Sequence, residues 1–317
     1  MLEKSGDNES PAPLRGLLDP VLSRIGEIII GRDQPVRLAL TCLLAGGHLL
    51  IEDVPGVGKT TLAQTLALTL GLNFVRIQFT SDLLPADVIG VSIYETGKAQ
   101  FKFHPGPIFS QLILADEINR ATPKAQSALL EAMEEKQVSA EGKTYPLPQP
   151  FFVVATQNPR HQIGTFPLPE SQLDRFLMRI RIGYPDARAE RALLKGKDRR
   201  EIMHSLEPVI DPQKLVALQR LCQQVHCSDA LIDYVQALLD MSRNSPGLQY
   251  GLSPRAGIAL THAARAWAYL AGRTIVLPED IQAVAQSVLS HRLQGEESQH
   301  TPQDQLVRQL IQSVPIP

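Results

Sequence analysis

Apolar positions recur at helical spacing through "GLLDPVLSRIGEIIIGRDQPVRLALTCLLAG", on either side of the turn "IIGRDQ", and predict two helices that begin near Gly16. The pattern then shortens. "HLLIED" is a compact apolar run that predicts a buried strand, and Thr60 to Leu70 returns to helical texture until Gly71 stops it. "NFVRIQF", "QLILADE" and "PFFVVATQN" are further apolar runs, spaced by helical or turn-rich segments, which is how a parallel sheet covered by helices is written in sequence. Two stretches read instead as hairpins: "VSIYETGKAQFKF", turning at Glu95-Thr96-Gly97, and "QVSAEGKTYPLP", turning at Glu141-Gly142. From Arg188 onward β-branched runs vanish, and "PQKLVALQRLCQQV", "DALIDYVQALLDMSR", "PRAGIALTHAARAWAYLAG" and "PEDIQAVAQSVLSHRL" all carry helical periodicity. The expected organisation is a flexible tail over 1–15, an α/β unit over 16–186 and a smaller all-α unit over 187–317. The charged piece "KGKDRREIMH" reads as a solvated linker or helix face between them.

Length agrees with two units, because 317 residues exceed the roughly 100–200 of a usual domain. With 44% apolar and 20% charged residues the chain has the composition of an ordinary globular protein. A net charge of −2 offers no bulk attraction to nucleic acid or to an anionic membrane, so neither is the expected partner. The longest apolar stretch, Leu38 to Ile51, is broken by Gly46-Gly47-His48 and falls short of the ~18 residues of a membrane span. The polar start "MLEKSGDNESPAP" has no secretory character, and a cytoplasmic location is expected. Cys42, Cys222 and Cys227 fit neither a disulfide framework nor a zinc site and read as reduced, packed thiols.

Chemistry concentrates where strands end. "DVPGVGKTT" matches a phosphate-binding loop except that Asp53 stands where the pattern asks for its first glycine. Such a loop aims backbone N–H groups at phosphate oxygens, adds the positive end of the next helix, and neutralises the β and γ phosphates with lysine. Pro55, Gly56, Val57, Gly58, Lys59, Thr60 and Thr61 form the expected nucleotide-binding stretch, with Thr60 supplying a hydroxyl to Mg2+. Asp53 precedes the tight part of the turn, so its side chain can point away from a nucleotide. "LILADE" ends a strand in two acids, with Asp116 placed to hold the metal through its water shell and Glu117 to polarise an attacking water. "VVATQNP" ends another in Asn158, which can position that water together with Glu117. The acid pair favours hydrolysis over transfer to an acceptor.

Several segments together resemble one family: "IIGRDQ", "EDVPGVGKTTLA", "GPIFSQLILADEINRATPKAQSALLEAMEEKQV", "FFVVATQNP" and "LPESQLDRFLMRIRIGYPD", covering Gly31 to Asp186. They are similar to the MoxR family of AAA+ ATPases, and "LSPRA" matches the start of a helix in that family's lid. The resemblance implies a P-loop NTPase core with inserted hairpins followed by a helical lid, and a homo-oligomeric, usually hexameric, ring that binds ATP and Mg2+ between subunits. It implies that Arg175 of "LDRF" reaches a neighbour's γ-phosphate, that Arg255 of "SPRA" contacts nucleotide from the lid on the opposite side, and that Arg120 lies at the subunit interface. It places adenine against the "IIGRDQ" segment.

The same resemblance implies chaperone-like remodelling or activation of a client or adaptor protein, in this family often one with a von Willebrand factor A domain. The hairpins would then face the pore or one surface of the ring, presenting Lys98, Lys102, His104, Lys143 and Tyr145. Two alternatives stay open on the sequence: a nucleic-acid-stimulated motor of the helicase type, whose branch shares both hairpins, and a nucleotide-controlled scaffold with little turnover.

Overall fold

The structure, a computed structural model, describes residues 15–97, 100–140, 142–158, 165–196, 199–245, 247–295 and 302–316. Its strands in chain order begin with β1 (Leu49–Glu52), β2 (Phe74–Gln78), β3 (Gly90–Glu95), β4 (Gln100–Pro105) and β5 (Leu112–Asp116). β6 (Gln137–Ala140), β7 (Lys143–Pro146), β8 (Phe152–Gln157) and β9 (Met178–Ile180) follow. Five of them form one sheet in the order β2-β5-β8-β1-β9, with every pairing parallel. Leu49, Ile51, Leu112, Leu114, Phe152 and Val154 face a core with helices Leu18–Ile28, Asp33–Leu44 and Lys59–Thr69. Leu50, Ile113, Ala115, Val153 and Ala155 face a second core with helix Pro123–Glu135. Both faces are covered, which is why the strands read as continuous apolar runs without alternation.

β9 escapes a reading by hydrophobicity because its middle residue is Arg179. That guanidinium is buried, meets Glu52 at 3.1 Å and donates to Gln303 Oε1 at 2.8 Å. A buried cation needs such partners, and they come from β1 and from the C-terminal helix Gln303–Ser313, far apart in sequence.

The remainder is a helical lid. Helices Pro212–Gln223, Asp229–Asn244 and Pro254–Leu270 open on Asp211, Ser228 and Ser253, whose side-chain oxygens accept from the N–H groups of Lys214, Leu231 and Ala256. Pro212 and Pro254 occupy first-turn positions where no N–H is required. The lid is not purely α: Leu248–Tyr250 and Gln294–Gly295 form a small antiparallel ribbon, too short to leave a pattern in the sequence. Its apolar stripes join the same core that covers one face of the sheet.

The amino end of β1 is closed by His48. Its Nδ1 accepts from Val153 N–H at 3.0 Å and its Nε2 lies 3.3 Å from the Met133 carbonyl. Burial pushes its pKa down to about 4, so the ring is a neutral spacer there.

Both expected hairpins are present, as β3–β4 and β6–β7. They are tied together: Phe103 stacks on Tyr145 with ring centroids 4.4 Å apart and meets Phe109 edge-on. Tyr145 is therefore spent on packing rather than offered at a tip. Lys102 pairs with Glu95 at 3.4 Å, and Lys98 lies outside the described residues. Beside the exposed Lys102 and His104, β3–β4 also exposes an apolar edge-to-face pair, Tyr94 and Phe101.

Candidate functional site

The loop after β1 emerges at the carboxyl end of the sheet, where open α/β folds bind ligands. Gly56 and Gly58 have φ of 86° and 95°, left-handed values that a side chain disfavours, and these two turns deliver Lys59 as the first residue of helix Lys59–Thr69. Thr60 and Thr61 follow it half-buried on the first turn, and Val57 packs its side chain back on the core. Pro55 and Gly56 face solvent.

Asp53 is turned away from the loop. Its Oδ2 accepts the N–H groups of Ile182 and Gly183 at 2.7 and 2.6 Å, and Oδ1 accepts from Val54 N–H at 2.8 Å. Arg32, from the "IIGRDQ" turn, donates to the carbonyls of Gly183 and Tyr184 on the same segment. The non-glycine residue thus pins the loop's entry to the chain leaving β9. Asp53→Ala is expected to lower stability by about 2–3 kcal/mol, because buried N–H groups lose a charged acceptor. Urea unfolding checks this, and an unchanged midpoint would deny the role.

Lys59 Nζ donates to the Asp53 carbonyl at 2.6 Å and to Asn158 Oδ1 at 3.1 Å. Burial lowers the ammonium's pKa, while Asp53, Asp116 and Glu117 act in the opposite direction. Asn158 in turn donates from Nδ2 to Glu117 Oε1 at 3.0 Å. Lysine, asparagine and glutamate, drawn from three loops, are one hydrogen-bonded chain.

Glu117 itself holds a left-handed backbone, φ 56° and ψ 48°, an uncommon conformation for a side-chain-bearing residue. Its N–H is fixed by Thr156 Oγ1 at 2.9 Å, and the same hydroxyl donates to Asp116 Oδ1 at 2.5 Å. Asp116 Oδ2 accepts two N–H groups of Arg76, at 3.0 and 2.6 Å. Glu117 Oε2 receives Gln78 Nε2 at 3.1 Å and Arg120 Nε at 3.1 Å. Arg120, expected at a subunit interface, here contacts Glu117 of its own chain.

The donor set suits magnesium carried by a nucleotide. Among the described residues no cluster of three or more His, Cys, Asp or Glu side chains could hold a metal alone. Thr60 and Asp116 offer oxygen only, and a small hard cation commonly takes one or two such groups and completes its shell with phosphate and water.

Arg175 and Arg255 are elsewhere. Both contact Glu134 at the end of helix Pro123–Glu135, Arg255 Nη2 at 2.6 Å and Arg175 Nε at 3.8 Å. The Arg255 hydrogen bond holds the Glu134 carboxyl below its ordinary pKa. Together with His48 and Met133 they line a cleft of ≈ 250 Å³. His48 precedes β1 and the phosphate loop follows it, so this cleft lies at the amino end of the sheet, with the four residues of β1 between. That strand alone spans roughly 13 Å. The expectation that Arg175 and Arg255 lie on opposite sides is corrected: both meet Glu134 and line one cleft at the amino end of the sheet.

Other participants left weaker signals. Arg76 and Gln78 alternate along β2, whose partner in register for Gln78 is Asp116; a polar pair two apart on an apolar strand was the available clue. Thr156 is an unremarkable residue within "VVATQN". Arg292, near the end of "SVLSHRL", is buried and donates to Asp174 Oδ1 at 2.6 Å and to the carbonyls of Asp174, Phe176 and Leu177, clamping the turn that carries Arg175. Nothing in its local pattern separates it from a helix-capping arginine.

Comparison with known proteins gives the family and the fold. Residues 48–178 match the ATPase family associated with various cellular activities, and residues 240–310 match the AAA lid domain. The chain is 41% identical over 285 residues to the chaperone MoxR1 of Mycobacterium tuberculosis, covering 87% of this chain and 75% of that one. Identity to the protein MoxR of Paracoccus denitrificans is 34%, with 92% and 93% covered. The chain belongs to the MoxR family of AAA+ ATPases. Another relative, the uncharacterised protein YeaC of Bacillus subtilis, is 45% identical over 307 residues, 96% of each chain. A crystal structure of an ATPase candidate from Cytophaga hutchinsonii superposes with a TM-score of 0.87 at 38% identity, covering 96% of both chains. MoxR membership accounts for the α/β core with its inserted hairpins and for the helical lid. No helix among the described residues is long and apolar enough to cross a membrane.

Proposed function

We propose that this MoxR-family chain is a magnesium-dependent ATPase that assembles into a ring, hydrolyses ATP between neighbouring subunits and uses the cycle to remodel or activate a client protein. The observation that carries the reading is the separation just described. Lys59, Asn158, Glu117 and Asp116 converge at the carboxyl end of the sheet, while Arg175 and Arg255 converge at the amino end. A chain so built supplies half of a hydrolytic site at each end, and only a head-to-tail neighbour completes it.

In this reading the loop Pro55–Thr61 cradles the phosphates, and Lys59 neutralises the β and γ groups. Thr60 and Asp116 face the metal, which supplies charge neutralisation at the phosphates when bound. Glu117 polarises water, Asn158 orients it, and the neighbour's Arg175 and Arg255 meet the developing charge. Arg120, on the Glu117 carboxylate, is then positioned to report the neighbour's approach.

A hexamer in the cytoplasm, with a client or adaptor of the von Willebrand factor A type, is the assembly this proposal adopts from the family. The chaperone naming of a relative supports the client-directed role alone. The exposed Tyr94–Phe101 pair suits an apolar polypeptide segment better than a phosphate backbone, since Lys102 beside it is already paired. The test is steady-state ATP hydrolysis against protein concentration, with mass measured in the same buffer. Specific activity is expected to rise as the oligomer forms; activity independent of assembly would reject the shared site.

A further inference from the structure

Asp116, the acid that this reading assigns to magnesium, already holds a cation. Both N–H contacts from Arg76 fall on Oδ2, and the Thr156 hydroxyl occupies Oδ1. A carboxylate has about four lone-pair sites, so three are engaged before any metal-bound water could be accepted. Arg76 belongs to β2, the edge strand of the sheet, and its side chain is half-exposed, at 50%. It has solvent to move into. The same guanidinium donates to Gln78 Oε1 at 2.8 Å, and Gln78 donates to Glu117, so the two acids are also bridged through the edge strand.

We propose that Arg76 is a tethered counter-ion that competes with magnesium nucleotide for Asp116 Oδ2, so that Arg76 sets how strongly nucleotide binding depends on magnesium. The inference rests on Asp116 facing the metal. Its physics is competition: an immobile carboxylate beside phosphate is repulsive unless some cation sits on it, and a guanidinium and a divalent ion repel each other at one oxygen. A purely supporting arginine, which only aimed Asp116, would act with the opposite sign, because its loss would weaken metal binding.

Binding of a fluorescent ADP to wild type, Arg76→Gln and Arg76→Lys, in EDTA and in excess magnesium, separates the two. In Arg76→Gln the bare Asp116 should weaken metal-free binding while binding with magnesium is retained. The gain in affinity on adding magnesium should therefore exceed the wild-type gain by about threefold to tenfold, a range scaled to a partly exposed ion pair with two contacts. Arg76→Lys, which keeps the charge and loses the double contact, should fall between. Titration of manganese by electron paramagnetic resonance at saturating ADP should show tighter metal binding in Arg76→Gln. An equal or smaller gain in Arg76→Gln overturns the proposal, and should that variant not fold, a gain in Arg76→Lys below that of wild type does the same. Wild type with no magnesium gain at all would instead remove Asp116 from the metal site, and the proposal with it.

Discussion

Glu117→Gln is expected to lower ATP turnover by about 10²–10⁴, the usual contribution of a positioned general base, while nucleotide binding stays within a few-fold of wild type. The two readouts separate because Glu117 and the phosphate-binding groups share only Asn158. Lys59 keeps its contacts to the Asp53 carbonyl and Asn158, and the glycine turns are untouched. The substituted amide is isosteric, so the left-handed backbone held by Thr156 is retained. What changes is charge. Glu117 accepts on both oxygens, from Asn158 on one side and from Gln78 and Arg120 on the other. Glutamine keeps one acceptor and turns an NH2 toward a donor, so one side of that frame must open. Phosphate release in the steady state, beside equilibrium binding of a labelled nucleotide, reads both effects. Turnover near wild type would take the water-activating role from Glu117. Client assembly and release that proceed normally in the variant would favour the scaffold reading over coupling to hydrolysis.

The parts of this site that could be read in sequence are those whose chemistry is local. Gly56, Gly58, Lys59 and Thr60 announce themselves because a strand, a permissive turn and a helix start must be contiguous. Asp116 and Glu117 do so because they close an apolar run. Even Asp53 yielded to a local argument, since its position ahead of the tight turn leaves its side chain free to point away. β9 failed for the opposite reason: Arg179 is tolerated in a buried strand through partners such as Glu52, Gln303 and Asp304, which lie more than a hundred residues away in either direction. Arg76, Gln78 and Arg292 share that condition, each defined by a partner brought in by topology. The placement of Arg255 could not be read at all. Its neighbourhood depends on which end of the sheet the lid covers, and helix periodicity within the lid is the same for either.

That placement makes the second large effect specific. Arg175→Ala is expected to assemble but to lose about 10³–10⁵ of oligomer-stimulated turnover, the range for an arginine acting across an interface on transferring phosphate. Loss alone would not distinguish an arginine serving its own chain from one serving a neighbour. Mixing does. Lys59→Ala should be inactive because its own phosphate loop is crippled, yet its amino-end arginines are intact. In a random equal mixture of the two variants, about a quarter of the head-to-tail interfaces join an intact loop to an intact arginine, and activity should recover to roughly that fraction of wild type. Arg255→Ala mixed with Lys59→Ala decides the other arginine by the same logic. If Arg255 shares the cleft with Arg175 because both serve the neighbour, this mixture also recovers. If Arg255 instead serves the loop of its own chain, each intact loop in the mixture still lacks its arginine, and no recovery follows. Recovery with Arg175→Ala but none with Arg255→Ala would therefore divide two residues that share Glu134. Absence of recovery in both would show that the amino-end cleft does not face a neighbour's nucleotide.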